Sequence, residues 1–150
     1  MQIRKISRPD FESLLVLGRL MHEESSYRHL EYNKEKLWQL GEKTIFEPRS
    51  YFGVVAEKDA EIVGMFLGYI TPFFFSSQKI AGDLVLFVTP KERGSSVALR
   101  LIREYEAWAI ANGAKQIMLG VTTGVNEERT KELFLRLGYK PAGAIVKKEV

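Results

Sequence analysis

Cysteine is absent from this 150-residue chain. That excludes disulfides, thiolate-ligated metal sites and a covalent cysteine acyl-enzyme, so any acyl transfer would have to be direct or use another nucleophile. Histidine is scarce: His22 and His29 are the only two. They lack the i, i+4 spacing of a helical zinc pair, and no metal is expected. Long apolar runs are also missing. Ile62–Ile70 and Leu84–Val88 are interrupted by glycine or charge well short of the roughly 20 residues a membrane span requires, so no membrane partner is expected. Charge of one sign does not dominate either: 22 Lys and Arg are mixed with 19 Asp and Glu for a net +3. No basic cluster marks a nucleic-acid surface. The opening Met1-Gln2-Ile3-Arg4-Lys5 lacks the apolar region of a secretory signal, and the expectation is a cytoplasmic protein.

What is present is a core. At 45% hydrophobic and 11% aromatic residues, the chain can bury enough surface for one folded domain over residues 1–150, with no linker or repeat. Gln2–Ile6 reads as a strand, and Ser7-Arg8-Pro9-Asp10 as a helix start. Phe11, Leu14, Leu15, Gly18 and Met21 then recur at the period of one helical stripe, which frays into the polar segment His22–His29. Asn33 caps a second helix to Phe46, stopped by Pro48.

From Tyr51 the period changes to two. Phe52–Glu57 and Glu61–Ile70 form a hairpin through Lys58-Asp59-Ala60, and Ile80–Thr89 completes an antiparallel meander. The connection between them carries Phe73-Phe74-Phe75, which must pack inward or form a contact site. A helix follows over Gly94–Ala111, with Ala98, Leu101, Ile102, Tyr105, Trp108 and Ala109 on one face. Asn112-Gly113 ends it. Lys115–Val121 is a strand, Glu127–Leu137 a helix, and Tyr139–Lys148 one or two terminal strands. A strand, helix and strand beside a meander predict a mixed, mostly antiparallel α/β sheet with one parallel crossover and helices on both faces.

The stretch richest in chemical information is Leu86-Phe87-Val88-Thr89-Pro90-Lys91-Glu92-Arg93-Gly94-Ser95-Ser96-Val97-Ala98. A strand ends at proline, turns at Arg-Gly, and enters a helix whose first turn is small. Unpaired amides at a helix start, aided by the helix dipole, seat a phosphate. A plain turn and cap would look the same, and the residues alone leave both readings open.

Arg93-Gly94-Ser95-Ser96-Val97-Ala98 resembles the pyrophosphate loop of the GNAT acetyltransferase superfamily, Arg/Gln-x-x-Gly-x-Gly/Ala, with Ser96 in place of the middle glycine. The hairpin Val54–Gly64, Trp108-Ala109 before Asn112-Gly113-Ala114, and Leu133-Phe134-Leu135-Arg136-Leu137-Gly138-Tyr139 follow in the family's order. The last is similar to its Leu-Tyr-x-x-x-Gly-Phe/Tyr signature. The resemblance implies acetyl-CoA as cosubstrate and a V-shaped opening between Ile80–Thr89 and Lys115–Val121. Pantetheine would run along the backbone of Leu86, Phe87 and Val88, and Arg93, Gly94, Ser95, Ser96, Val97 and Ala98 would hold the pyrophosphate. Asn126 and Phe134 would flank the cofactor. The reaction implied is direct attack by a primary amine, of a small molecule or a peptide, in a ternary complex. Members of the family often dimerise, and Phe73–Phe75 would be one place for it.

The family's usual proton donor to the departing sulfur is a tyrosine, and here that position is Phe134. Tyr105 and Tyr139 read as packing residues, and Asn126 serves equally as a helix cap. Met21-His22-Glu23-Glu24-Ser25-Ser26-Tyr27 resembles a Met-His-x-Glu-Ser run of some small GNAT proteins. On that match His22 and Glu24 are the catalytic candidates, and Glu24, Ser25 and Tyr27 would bind the acceptor. Asp83 reads as the exposed start of a strand, with a buried base as the alternative. Phe134 also motivates a rival reading, a CoA-binding interaction module without catalysis.

Overall fold

The computed structural model describes residues 1–150. Its elements run β1 (Gln2–Lys5), α1 (Phe11–Glu24), α2 (Lys34–Phe46), β2 (Tyr51–Lys58), β3 (Glu61–Pro72), β4 (Lys79–Val88), α3 (Val97–Ala111), β5 (Ala114–Met118) and α4 (Glu127–Arg136). The five strands lie side by side in sequence order. The first four are antiparallel, and β5 joins β4 in parallel through the α3 crossover. No helix is long and apolar enough to cross a membrane.

Both faces of the sheet are covered, and period-two alternation sorts the side chains between them. Val54, Ala56 and Phe66 face α3, where they meet Leu101, Ile102, Tyr105 and Ala109, with Phe134 of α4 in the same cluster. Val55, Met65, Leu67 and Phe87 face the other way and pack with Phe11 under α1 and α2. Tyr105 is fully buried. It stacks on Phe66 at 4.4 Å and donates its hydroxyl to the Gly82 carbonyl at 2.7 Å.

Local chemistry sets the element boundaries. Ser7 and Asp10 form a capping box ahead of α1, and Arg4 of β1 donates to the Asp10 carboxylate at 2.8 Å and to Glu57 of β2 at 2.6 Å. The Arg4 guanidinium and the Ser7 donors hold the Asp10 carboxyl down at about 2. Asn33 caps α2 by accepting the Lys36 amide at 3.0 Å. The β2–β3 hairpin turns at Asp59 and Ala60, both at positive φ (51° and 61°), the two-residue turn whose twist matches the strands.

Three expectations are corrected, and one open alternative is decided. The helix after β4 begins at Val97 rather than Gly94, because Pro90–Glu92 form a 3-10 turn and Arg93 is extended. β5 ends at Met118, short of Val121. No strand forms over Tyr139–Lys148: Pro141 has no amide to donate, Gly143 turns the chain at φ 136°, and residues 140–150 gain no buried face. The Phe73–Phe75 side chains pack on one another at 4.8–5.0 Å between centroids and stay at the surface, with Phe74 88% exposed.

Candidate functional site

β4 and β5 pair only from Lys79–Gly82 against Ala114–Met118. Beyond that the strands part, leaving the Asp83–Val88 edge of β4 without a strand neighbour. Opposite β3, Leu67 pairs with Val85 and Gly68 with Asp83, so Leu84 is an extra bulged residue at the divergence. Bulges bend a strand and redirect its side chains. The opening is a cleft of about 1410 Å³ running from the turn after β4 to the end of α1. That exceeds the roughly 300–1,000 Å³ of a single small-ligand pocket, and leaves space for two reactants.

At one end lies the turn into α3. The backbone hydrogen bonds leave the amides of Gly94, Ser96 and Ala98 without a partner, while the Val97 amide is met by Ser95 Oγ at 3.3 Å. Gly94 sits at φ 89°, a conformation glycine adopts without steric cost. Orphan amides at a helix start are an anion cradle, and the residues present fit a phosphate. Leu86, Phe87, Val88, Arg93, Gly94, Ser95, Ala98, Asn126 and Phe134 all line the cleft. Ser96 and Val97 do not: Ser96 opens α3, and Val97 is buried in the core.

Arg93 does not extend into the cradle. Its Nε donates to the Val88 carbonyl at 3.0 Å, its Nη2 donates to the Glu24 carboxylate, and its guanidinium lies over the Phe87 ring at 5.6 Å. Glu24, expected to be a free base, is thus committed to an ion pair that ties the end of α1 to the phosphate turn. His22 also lines the cleft. Its Nε2 donates to the Leu30 carbonyl at 2.7 Å, which leaves Nδ1 buried with no partner. In the neutral ring that nitrogen carries the lone pair.

Ser25 is buried at 3% exposure. Its hydroxyl donates to the His22 carbonyl at 2.9 Å and accepts the Tyr27 amide at 3.2 Å, so it closes α1 locally. Tyr27 reaches across the cleft and donates to Thr122 Oγ1 at 2.7 Å. Beside it the Ser26 amide donates to the Thr123 carbonyl at 2.7 Å, and Ser26 Oγ to the Thr122 carbonyl at 2.9 Å. The exit of α1 therefore straps onto the β5–α4 connection, a closure that no sequence pattern announced.

Asp83 is not the start of its strand. β4 begins at Lys79, and Asp83 lies where β4 and β5 part, with Oδ1 accepting the Gly120 amide at 3.1 Å. Burial pushes its carboxyl up, opposed in part by that hydrogen bond. Tyr105 and Tyr139 are packing residues, with hydroxyls held by the Gly82 carbonyl and by Glu106. Burial raises both phenols. Phe134, 6% exposed, packs against Tyr139. Asn126 starts α4 at φ 50° and makes no side-chain cap, while Glu127 accepts the Gly124 amide at 2.9 Å. Arg129 was not singled out from the sequence. Its guanidinium hangs over Gly94, with Nη2 only 2.7 Å from where a β-carbon would stand there.

A model of the acetyltransferase (GNAT) family matches residues 5–139. The chain belongs to the GNAT acetyltransferase family. Acetyl-CoA is the acyl donor that this family uses. No curated protein matches the sequence, but the GNAT fold is matched across solved structures. AAC(6')-Iy, in complex with the bisubstrate analogue CoA-S-monomethyl-acetylneamine, aligns over 99% of this chain and 97% of its own at TM-score 0.78 and 16% identity. The aminoglycoside antibiotic 6'-N-acetyltransferase AAC(6')-IG from Acinetobacter haemolyticus aligns over 100% and 98% at TM-score 0.75 and 17% identity. A transcriptional regulator from Bacillus halodurans aligns over 99% of both chains at TM-score 0.75 and 20% identity. Identities this low establish the shared fold and leave the acceptor to the residues of this chain.

Proposed function

We propose that residues 1–150 form a single acetyltransferase domain that moves an acetyl group from acetyl-CoA to a primary amine by direct attack within a ternary complex. The observation that carries this reading is the pair of orphan amides at Gly94 and Ala98 at one end of a cleft that the parting of β4 and β5 holds open. When bound, acetyl-CoA supplies a thioester whose carbonyl carbon the amine attacks and whose sulfur departs with the bonding electrons. The chain's residues do the rest. The turn seats the pyrophosphate. The free edge of β4 at Leu86–Val88 offers main-chain groups to the pantetheine amides. The strap from Ser26–Tyr27 to Thr122–Thr123 ties the end of α1 to the β5–α4 connection at the acceptor end.

The amine must lose a proton, and His22 Nδ1 is the acceptor we assign: it carries a lone pair, has no protein partner and belongs to a residue that lines the cleft. Glu24 then serves to hold Arg93 rather than to take a proton. No hydroxyl stands at Phe134, so the departing sulfur is protonated from solvent. The acceptor is a small-molecule or peptide amine. Aminoglycosides, the substrates named for AAC(6')-IG, are the first class to screen.

Isothermal titration with acetyl-CoA tests the donor site, and thiol release during an amine screen tests transfer. Binding lost in a folded Gly94→Glu protein is the expected result. A folded wild type free of copurified CoA that binds no acetyl-CoA overturns the reading. Phe134 supports a second one: tight acetyl-CoA binding with no thiol release from any amine would mark an interaction module.

A further inference from the structure

Arg129 stands in the first turn of α4, beside Glu127 and Glu128. A cation is disfavoured there, because the helix dipole places partial positive charge at that end. No acidic side chain pairs with Arg129. Glu127 is taken by the Gly124 amide and Glu132 lies 4.0 Å from Arg136, while Arg129 has neither an ion pair nor a hydrogen bond to any side chain or carbonyl. Its guanidinium lies over the open α-carbon of Gly94, and the residue forms part of the wall of the cleft. Gly94 belongs to the turn into α3, where the amides of Gly94, Ser96 and Ala98 are unpaired. Two sets of donors with no acceptor therefore meet at Gly94, one from the turn into α3 and one from α4.

We infer that Arg129 closes the phosphate cradle, clamping the pyrophosphate of acyl-CoA from the α4 side while the α3 turn holds it from below. A guanidinium binds phosphate oxygens through paired, charge-assisted hydrogen bonds, which the turn amides alone do not provide. The contact also accounts for Gly94 in a second way: a side chain there would displace the clamp as well as strain the turn. It rests on acyl-CoA being the donor, and it assigns to a residue outside the loop motif part of the affinity for that donor.

The test compares wild type with Arg129→Gln and Arg129→Lys by isothermal titration, using CoA and 3'-dephospho-CoA, with melting temperatures measured without ligand. Arg129→Gln is expected to weaken both ligands by the same factor, about tenfold, the scale of a lost charged hydrogen bond. Arg129→Lys should recover part of that loss. The unliganded melting temperature should stay level or rise slightly, since the variant removes a cation from a helix N-terminus. Equal CoA affinity in wild type and Arg129→Gln overturns the proposal. A penalty seen with CoA but absent with 3'-dephospho-CoA also overturns it, since it would assign the residue to the ribose phosphate. If wild type and variants alike bind neither ligand, acyl-CoA use itself has failed, a result distinct from the other two.

Discussion

His22 and Asp83 both line the cleft and can each take a proton, and substitution separates them. Asp83→Asn keeps an oxygen for the Gly120 amide and removes a carboxylate whose ionisation is opposed by burial. The sign follows from linkage. A carboxyl raised in the fold binds its proton more tightly there than in the unfolded chain, so stability falls as pH climbs from the ordinary value of 3.8 through the raised one. At pH 7 Asp83→Asn should therefore melt no lower than wild type, and with His22 as the base it should keep acetyl transfer within a few-fold. His22→Gln should lose about 10²-fold or more in kcat, the scale of a missing general base, with acetyl-CoA affinity unchanged. Steady-state rates and acetyl-CoA titration of both variants check this. A large kcat loss in Asp83→Asn alone would transfer the base to β4.

Among the elements, the junction of β1, β2 and α1 depends on one buried carboxylate. Asp10, 7% exposed, has its carboxyl lowered from 3.8 to about 2 by Arg4 and Ser7. A depressed carboxyl stabilises the fold fully above its ordinary value and loses that contribution as pH falls towards 2. The linkage is worth about 2 kcal/mol. Asp10→Asn should therefore unfold at lower urea than wild type at pH 7, with the difference shrinking as the pH is taken towards 2; equilibrium unfolding at several pH values measures it. The β2–β3 hairpin predicts the opposite sign. Ala60 holds φ 61°, where a β-carbon is strained, and Ala60→Gly should stabilise by about 0.5–1 kcal/mol. An unchanged melting temperature would show that the turn relaxes around alanine.

Across the whole molecule, what could be read from the sequence was what local periodicity and special residues encode. The stripe from Phe11 to Met21, the Asn33 cap and the Asp59-Ala60 turn placed their elements to within a few residues, and the Arg-Gly turn lies at one end of the cleft. What was hidden depends on contacts between distant segments. Glu24 reads as a free carboxylate until the fold brings Arg93 to it, Tyr27 as a substrate ligand until Thr122 arrives, and Asp83 as a strand start until Gly120 shows where β4 and β5 part. Arg129 had a local signal, a cation in the wrong turn of a helix, but its meaning needs Gly94 beneath it.

The C-terminal segment is where pattern and fold diverge most, and that divergence can be measured. Tyr139–Lys148 reads as strand, yet residues 140–150 are all exposed, with Ile145 at 82% and Val146 at 92%. Their polar contacts, the Lys147–Glu149 ion pair and the approach of Glu149 to His29, are long and lie in solvent. Exposed pairs of this kind contribute little, and no apolar burial offsets the entropy of ordering the segment. A chain ending at residue 140 should therefore match the full chain in unfolding free energy to within about 0.5 kcal/mol, and bind acetyl-CoA with the same affinity. A loss of several kcal/mol on denaturant titration would mean that the segment does pair in solution, with the free edge of β5 as its partner, and that the strand pattern at residues 139–148 was the better guide.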